Sequence, residues 1–284
     1  EGKDDYEQMN FLKDEIQLLK EKYKGLMSPD PVPMLPTELT MVNFTQYTDS
    51  VRKEGLLPVG LDEELVKPVY VNFKKTKHCL VLGQAQKGKT NVLKVLANTA
   101  LLQDSDHIAI FDSIDRGLSN LMKEEKVVYM ENKEHITMWL NRVEELFSLR
   151  EEQYNLSIQK GSALPSFSPV ILIVDGYARF LQNLDALLQD RIVKCMKNYS
   201  HLGFCMIVSG NNSELTKGYD TLTVEMKQVR QALVLMKKSE QTLFTLSYDR
   251  REPEIQPGFG YYVENGKETK IQIPLMVTER KVHA

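Results

Sequence analysis

Apolar and polar positions divide the chain into an N-terminal amphipathic stretch and a long region where continuously apolar runs alternate with helix-periodic ones. From Asp5 to Met27 the residues Leu12, Ile16, Leu19, Tyr23 and Leu26 recur three or four apart, which predicts one apolar stripe on a helix. The stripe either packs on the main domain or serves as a connector to a preceding domain or neighbouring subunit. Residues 28–36 follow, with Pro29, Pro31, Pro33 and Pro36; lost backbone donors and fixed φ make this an extended linker. The division expected is 1–36, helix and Pro-rich linker, and 37–284, one larger domain.

Beyond the linker, buried strands are predicted at 78–82, 108–111, 127–130, 170–174, 204–208 and 232–236, with later strands at 260–264 and 270–274. Several are apolar throughout, as in a parallel sheet covered on both faces. Amphipathic helices are expected at 91–102, about 133–154 and 179–199, and the Ser- and Pro-containing stretch 161–169 is a loop. Such alternation predicts a doubly wound α/β domain with a mostly parallel sheet flanked by helices.

Composition narrows the classes of function. The 284 residues are 42% apolar with a formal charge of −3, so a large core is available and the global basic field of a non-specific nucleic-acid binder is absent. Cys79, Cys195 and Cys205 are scattered and mostly inside apolar runs, which fits small core residues in a reducing compartment. The five histidines show no metal-ligand spacing with them. No run approaches the roughly 18 apolar residues of a membrane helix, so the segment is expected to be soluble. Starting at Glu1, it is expected to be a processed or excised piece, with any membrane anchor outside it.

The chemistry starts after the run Cys79-Leu80-Val81-Leu82. Gly83-Gln84-Ala85-Gln86-Lys87-Gly88-Lys89-Thr90 is a complete G-x-x-x-x-G-K-[ST] phosphate-binding loop, with Asn91 opening the helical pattern behind it. Glycines at both ends let successive N–H groups turn towards phosphate oxygens, and the helix N-terminus adds partial positive charge. Lys89 is expected on the β- and γ-phosphates of ATP and Thr90 on Mg²⁺. The run Val170-Ile171-Leu172-Ile173-Val174 delivers Asp175 as the partnering carboxylate for Mg²⁺, a strand-end cap being the plainer alternative. Many ATPases place a glutamate next, to orient or deprotonate water; here that position is Gly176. Loss of a positioned base costs about 10²–10⁴ in rate, so nucleotide binding is expected to outlast fast hydrolysis. Asp112 is a substitute acid or a strand-end cap, and Ser209 and Asn211 are a γ-phosphate sensor or an ordinary turn. Arg230 and Arg250 are candidates for an arginine donated to a neighbour, or simply solvated surface residues.

The order of motifs resembles the FtsK/SpoIIIE-type ATPases. It runs through Pro58-Val59-Gly60-Leu61-Asp62, the phosphate loop, the Asp175 strand, the Ser209 turn and Pro257-Gly258-Phe259-Gly260. Within that family it is most similar to the last ATPase domain of the EssC-type type VII secretion ATPases, over nearly everything after Leu35. The resemblance implies a RecA-like fold, ATP and Mg²⁺ as ligands, preceding ATPase domains on the same polypeptide and a homo-hexameric ring. It also implies a cytoplasmic position beside a bacterial membrane and small helical WXG100-type secretion substrates. Gly258, Phe259 and Gly260 are carried over as neighbours of the adenine, although Phe259 stands where many relatives have Arg. Two other functions compete with a weakly or conditionally hydrolysing motor. One is a substrate-recognition module on a degenerate ATPase fold, with Phe259, Tyr261 and Tyr262 as a receptor surface. The other is a DNA translocase, which the near-neutral charge disfavours.

Overall fold

The continuously apolar runs form the centre of one ten-stranded sheet. The computed structural model describes residues 5–24, 32–48, 55–103, 105 and 107–276. Contacts divide the chain into two units, Glu1–Met34 and Leu35–Ala284. In the first, α1 (Asp5–Lys22) is helical with Leu12, Ile16 and Leu19 exposed, and Tyr23 just past its end is exposed too. Leu26, Met27 and the linker residues 28–31 lie outside the described residues, while 32–36 are irregular.

The second unit begins with α2 (Met41–Thr48), then β1 (Leu56–Asp62), β2 (Pro68–Asn72), β3 (His78–Leu82), α3 (Lys89–Leu102), β4 (His107–Phe111) and β5 (Val127–Met130). Next come α4 (Lys133–Lys160), β6 (Val170–Val174), α5 (Tyr177–Gln182), α6 (Ala186–Asn198), β7 (Phe204–Gly210), α7 (Asn212–Lys217) and α8 (Thr221–Met226). The unit closes with β8 (Gln231–Val234), β9 (Phe259–Glu264) and β10 (Lys267–Gln272). The strand order is β2-β1-β10-β9-β8-β3-β7-β6-β4-β5. From β8 to β5 every neighbour is parallel, and from β8 back to β2 every neighbour is antiparallel.

Strand alternation assigns each face its own core. Leu80, Leu82, Phe111, Leu172 and Val174 point to the side of α4 and α6, where Leu140, Phe147 and Ile192 are fully buried. Cys79, Val81, Ile110, Ile171 and Ile173 point to the side of α3, meeting Leu93, Leu96 and Ala97. This two-sided burial explains why the parallel strands carry almost no polar residue. All three cysteines are buried and free, and burial raises each thiol, Cys195 and Cys205 to about 12.

Several elements differ from expectation. Helix 179–199 is two helices, because the Asp185 side chain accepts from Leu188 N–H and starts α6 afresh. The α4 helix continues to Lys160, ending at Gly161 with φ 60°. Strands β1 and β2 were not expected: Pro58 and Gly60 interrupt the β1 pattern, and the register shifts between them. The short helices α2, α7 and α8 are likewise additional.

Candidate functional site

The parallel strands β3, β7 and β6 end side by side, so their C-terminal residues converge. The loop leaves β3 at Gly83, whose N–H donates to Gly210 O at the end of β7. It turns through positive φ at Gln86 (62°) and Gly88 (89°), and α3 starts at Lys89. Residues 84–88 are exposed, and a Cβ added at Gly88 would meet nothing within 4 Å. The Lys89 ammonium donates to Gly83 O and Gln84 O, each at 2.8 Å, and to Asn211 Oδ1 at 3.4 Å. Burial holds Lys89 below the usual lysine value, while Glu214 and Asp175 pull it back up.

Asp175, just past β6, is 4% exposed and held at both oxygens. Thr90 Oγ1 donates to Oδ2 at 2.8 Å and Ser209 Oγ donates to Oδ1 at 2.7 Å. Ser209 also accepts the Gly176 N–H at 2.9 Å. Ser209 is fully buried, so it orients Asp175 instead of meeting a ligand itself. A hydroxyl and a carboxylate at this separation beside a phosphate loop are the hard oxygen donors that Mg²⁺ takes. Gly176 has φ 88°, a conformation that side chains disfavour, so the absent glutamate is absent from a backbone shaped for glycine.

Two acids near the site differ in role. Asp112 is buried and accepts from Ser113 N–H, Leu118 N–H and Tyr129 Oη at 2.8, 2.8 and 2.6 Å, so it organises the loop after β4 as a strand-end cap. That loop brings Gly117 against Thr90, where an added Cβ would lie 2.5 Å from Thr90 Cγ2. Neither this approach nor the second acid, Glu214, was anticipated. Glu214 accepts from Asn211 N–H and Nδ2, both at 3.0 Å, in a capping box that opens α7. Its only trace in the sequence is the N-x-x-E spacing of Asn211 and Glu214.

A cavity of about 400 Å³ adjoins the loop. Gln86, Gly88 and Val92 line one side, and Pro257, Phe259 and Ile273 the other. Gly258 and Phe259, expected near the adenine, both line this cavity. Gly260 does not line it; that residue lies in β9 beside β8, where a Cβ would meet Leu235 Cδ2 at 2.8 Å. Asn91 lines the cavity, but its amide is engaged by Pro274 O and Met276 N–H. Tyr261 and Tyr262 are each 7% exposed, which removes them from any receptor surface. Arg230 and Arg250 are exposed and distant in sequence from the loop.

Loop, aspartate and buried serine thus lie close to this cavity on a P-loop ATPase fold. No protein-family profile matches the chain. The ESX secretion system protein YukB of Bacillus subtilis is 50% identical over 279 residues, 98% of this chain and 19% of that protein. The solved cytoplasmic domain of EssC is 44% identical with a TM-score of 0.85, covering 98% of this chain and 55% of the other. EssC ATPases 2 and 3 from Geobacillus thermodenitrificans give 45% and 0.83, over 98% and 52%. The chain is a homologue of the EssC/EccC type VII secretion ATPases. It spans about a fifth of the length of its curated EssC/EccC relatives. Among the described residues no helix is long and apolar enough to cross a membrane.

Proposed function

We propose that this chain is the ATP-binding domain of a type VII secretion motor, one that holds MgATP firmly and hydrolyses it slowly or conditionally. The observation that carries it is the joint placement of Lys89, Thr90 and Asp175 at the end of a phosphate loop whose residues 85–88 line the cavity. The loop N–H groups and Lys89 would hold the phosphates, Thr90 and Asp175 the Mg²⁺, and Gly258 and Phe259 the base. Mg²⁺, when bound, would supply neutralisation of phosphate charge. Lys89 would exchange its bonds to Gly83 O and Gln84 O for phosphate oxygens, and Ser209 keeps Asp175 facing the metal side.

Slow turnover follows from Gly176 and from the engagement of Asp112 in three hydrogen bonds. The work of such a site is to bias conformation: a held γ-phosphate orders the turn at Asn211 without rapid cleavage. In the whole protein the domain would act beside preceding ATPase domains, in a homo-hexamer on the cytoplasmic side of a bacterial membrane. Substrate docking of WXG100-type proteins is the step coupled to it. The net charge of −3 favours protein cargo over DNA.

Calorimetric titration with MgATP, comparing the wild type with Lys89→Ala, tests this. Binding by the wild type and none by the variant is expected; no binding by either at millimolar ATP would overturn it. Nucleotide-independent capture of a secretion substrate would favour the recognition-module alternative, and salt-sensitive DNA binding the translocase.

A further inference from the structure

We propose that Asn91 is a positioning residue that couples filling of the base cavity to the lead-in segment 36–40; this rests on the nucleotide-binding role of that cavity. Asn91 follows Lys89 and Thr90 in the first turn of α3, but its side chain does different work. While Thr90 meets Asp175, Asn91 Nδ2 donates to Pro274 O at 2.9 Å and Asn91 Oδ1 accepts from Met276 N–H at 2.9 Å. The two bonds bracket Leu275 as a rung of sheet would. An amide is the group this clamp requires, since one end must donate and the other accept.

The clamped strap, residues 272–276, has a second edge. Leu275 and Ile273 line the cavity, and Ile273 N–H donates to Gly258 O at 2.7 Å on the same wall, extending the β9–β10 pairing. On the far side Leu275 N–H donates to Leu39 O at 2.8 Å, Leu275 pairs with Thr40 in a parallel bridge, and Gln272 Nε2 donates to Pro36 O at 2.9 Å. Leu39 is itself packed, 2% exposed, in a small core with Phe44 and Leu61. A base packing on Ile273 and Leu275 therefore stabilises the strap and, through it, the lead-in at the start of the second unit. A ligand made of phosphates alone reaches the loop but not this wall.

Hydrogen exchange on the whole chain reads the coupling directly, in peptides covering 36–44 and 270–276. ADP is expected to slow both in the wild type by roughly three- to tenfold, the effect of about one hydrogen bond on a local opening equilibrium. Tripolyphosphate is expected to bind and slow neither. Without ligand, Asn91→Ala should exchange faster at Leu275 and Met276; with ADP bound, its protection should no longer reach 36–44. Gln272→Leu, which leaves the Asn91 clamp and the Leu275–Leu39 bond intact, should keep strap protection and weaken that of 36–44, so the question survives if Asn91→Ala does not fold. Equal protection by tripolyphosphate, or protection of 36–44 as strong in both variants as in the wild type, overturns the proposal. Wild-type ADP binding with 36–44 unchanged overturns the coupling alone; absence of ADP binding sinks the nucleotide site and the coupling together.

Discussion

Gly117 and Gly176 show how single atoms set the chemistry of this site. An alanine at 117 would drive its Cβ into Thr90 Cγ2, and the easiest relief is rotation of Thr90 away from Asp175. Gly117→Ala is therefore expected to weaken Mg²⁺-dependent ATP binding while sparing Mg²⁺-free binding, as separate titrations with and without EDTA will show. At Gly176 restoring the common glutamate is not a repair, because φ 88° strains any side chain by about 1 kcal/mol and the N–H is committed to Ser209. Gly176→Glu should lower the urea midpoint and give no rise in ATP turnover; a clear gain in turnover would count against the role assigned to this backbone.

A third residue, His78, makes stability depend on pH. Ser200 Oγ donates to Met196 O, so His78 Nε2 donates to Ser200 Oγ at 3.2 Å and Nδ1 is left without a partner among the described residues. Burial, with Lys77 nearby, pushes the ring down to about 4 from 6.5, so it is neutral when folded. Between those values the unfolded chain takes up a proton that the folded chain refuses. Stability is then whole above about pH 6.5 and falls as pH drops towards 4, by up to about 3 kcal/mol. Urea unfolding from pH 7 to pH 4.5 should show a steeper loss in the wild type than in His78→Gln.

Among the elements, the six-residue α7 matters more than its length suggests. Its capping box ties Glu214 to Asn211, and Asn211 Oδ1 in turn accepts from Lys89. Loss of an N-cap side chain costs about 1 kcal/mol. Asn211→Ala should lower stability by about that amount and also weaken the discrimination between ATP and ADP, measured by competition; an unchanged ratio would reduce Asn211 to a cap. This helix was invisible to periodicity because six residues make less than two turns. The central strands were legible because burial on both faces leaves them uninterrupted apolar, and Asp175 and the phosphate loop were legible because they end such strands. The edge strands β1 and β2 were not, since a bulge and the residues Pro58 and Gly60 break their alternation. The split between α5 and α6 went unseen because Leu181, Leu184, Leu188 and Ile192 keep helical spacing across the Asp185 cap. Gly117 belongs to the site only through tertiary approach, which no local pattern records.

At the scale of the molecule, parallel strands β8 to β5 bring the phosphate loop, Asp175 and Ser209 to one edge, while antiparallel β9 and β10 carry Gly258, Phe259 and the strap to the other side of the cavity. The site is thus a seam between the two halves of one sheet, and ligand filling it should stabilise the whole unit. The most direct measurement mixes the protein in excess over ATP with Mg²⁺ and follows bound ATP and ADP formed in the same samples. The expected result is Mg²⁺-dependent retention of ATP with ADP appearing at least about 10²-fold more slowly than the median enzyme turnover of about 10 per second. ATP that is never retained, or is cleaved at about that median rate, would contradict the account.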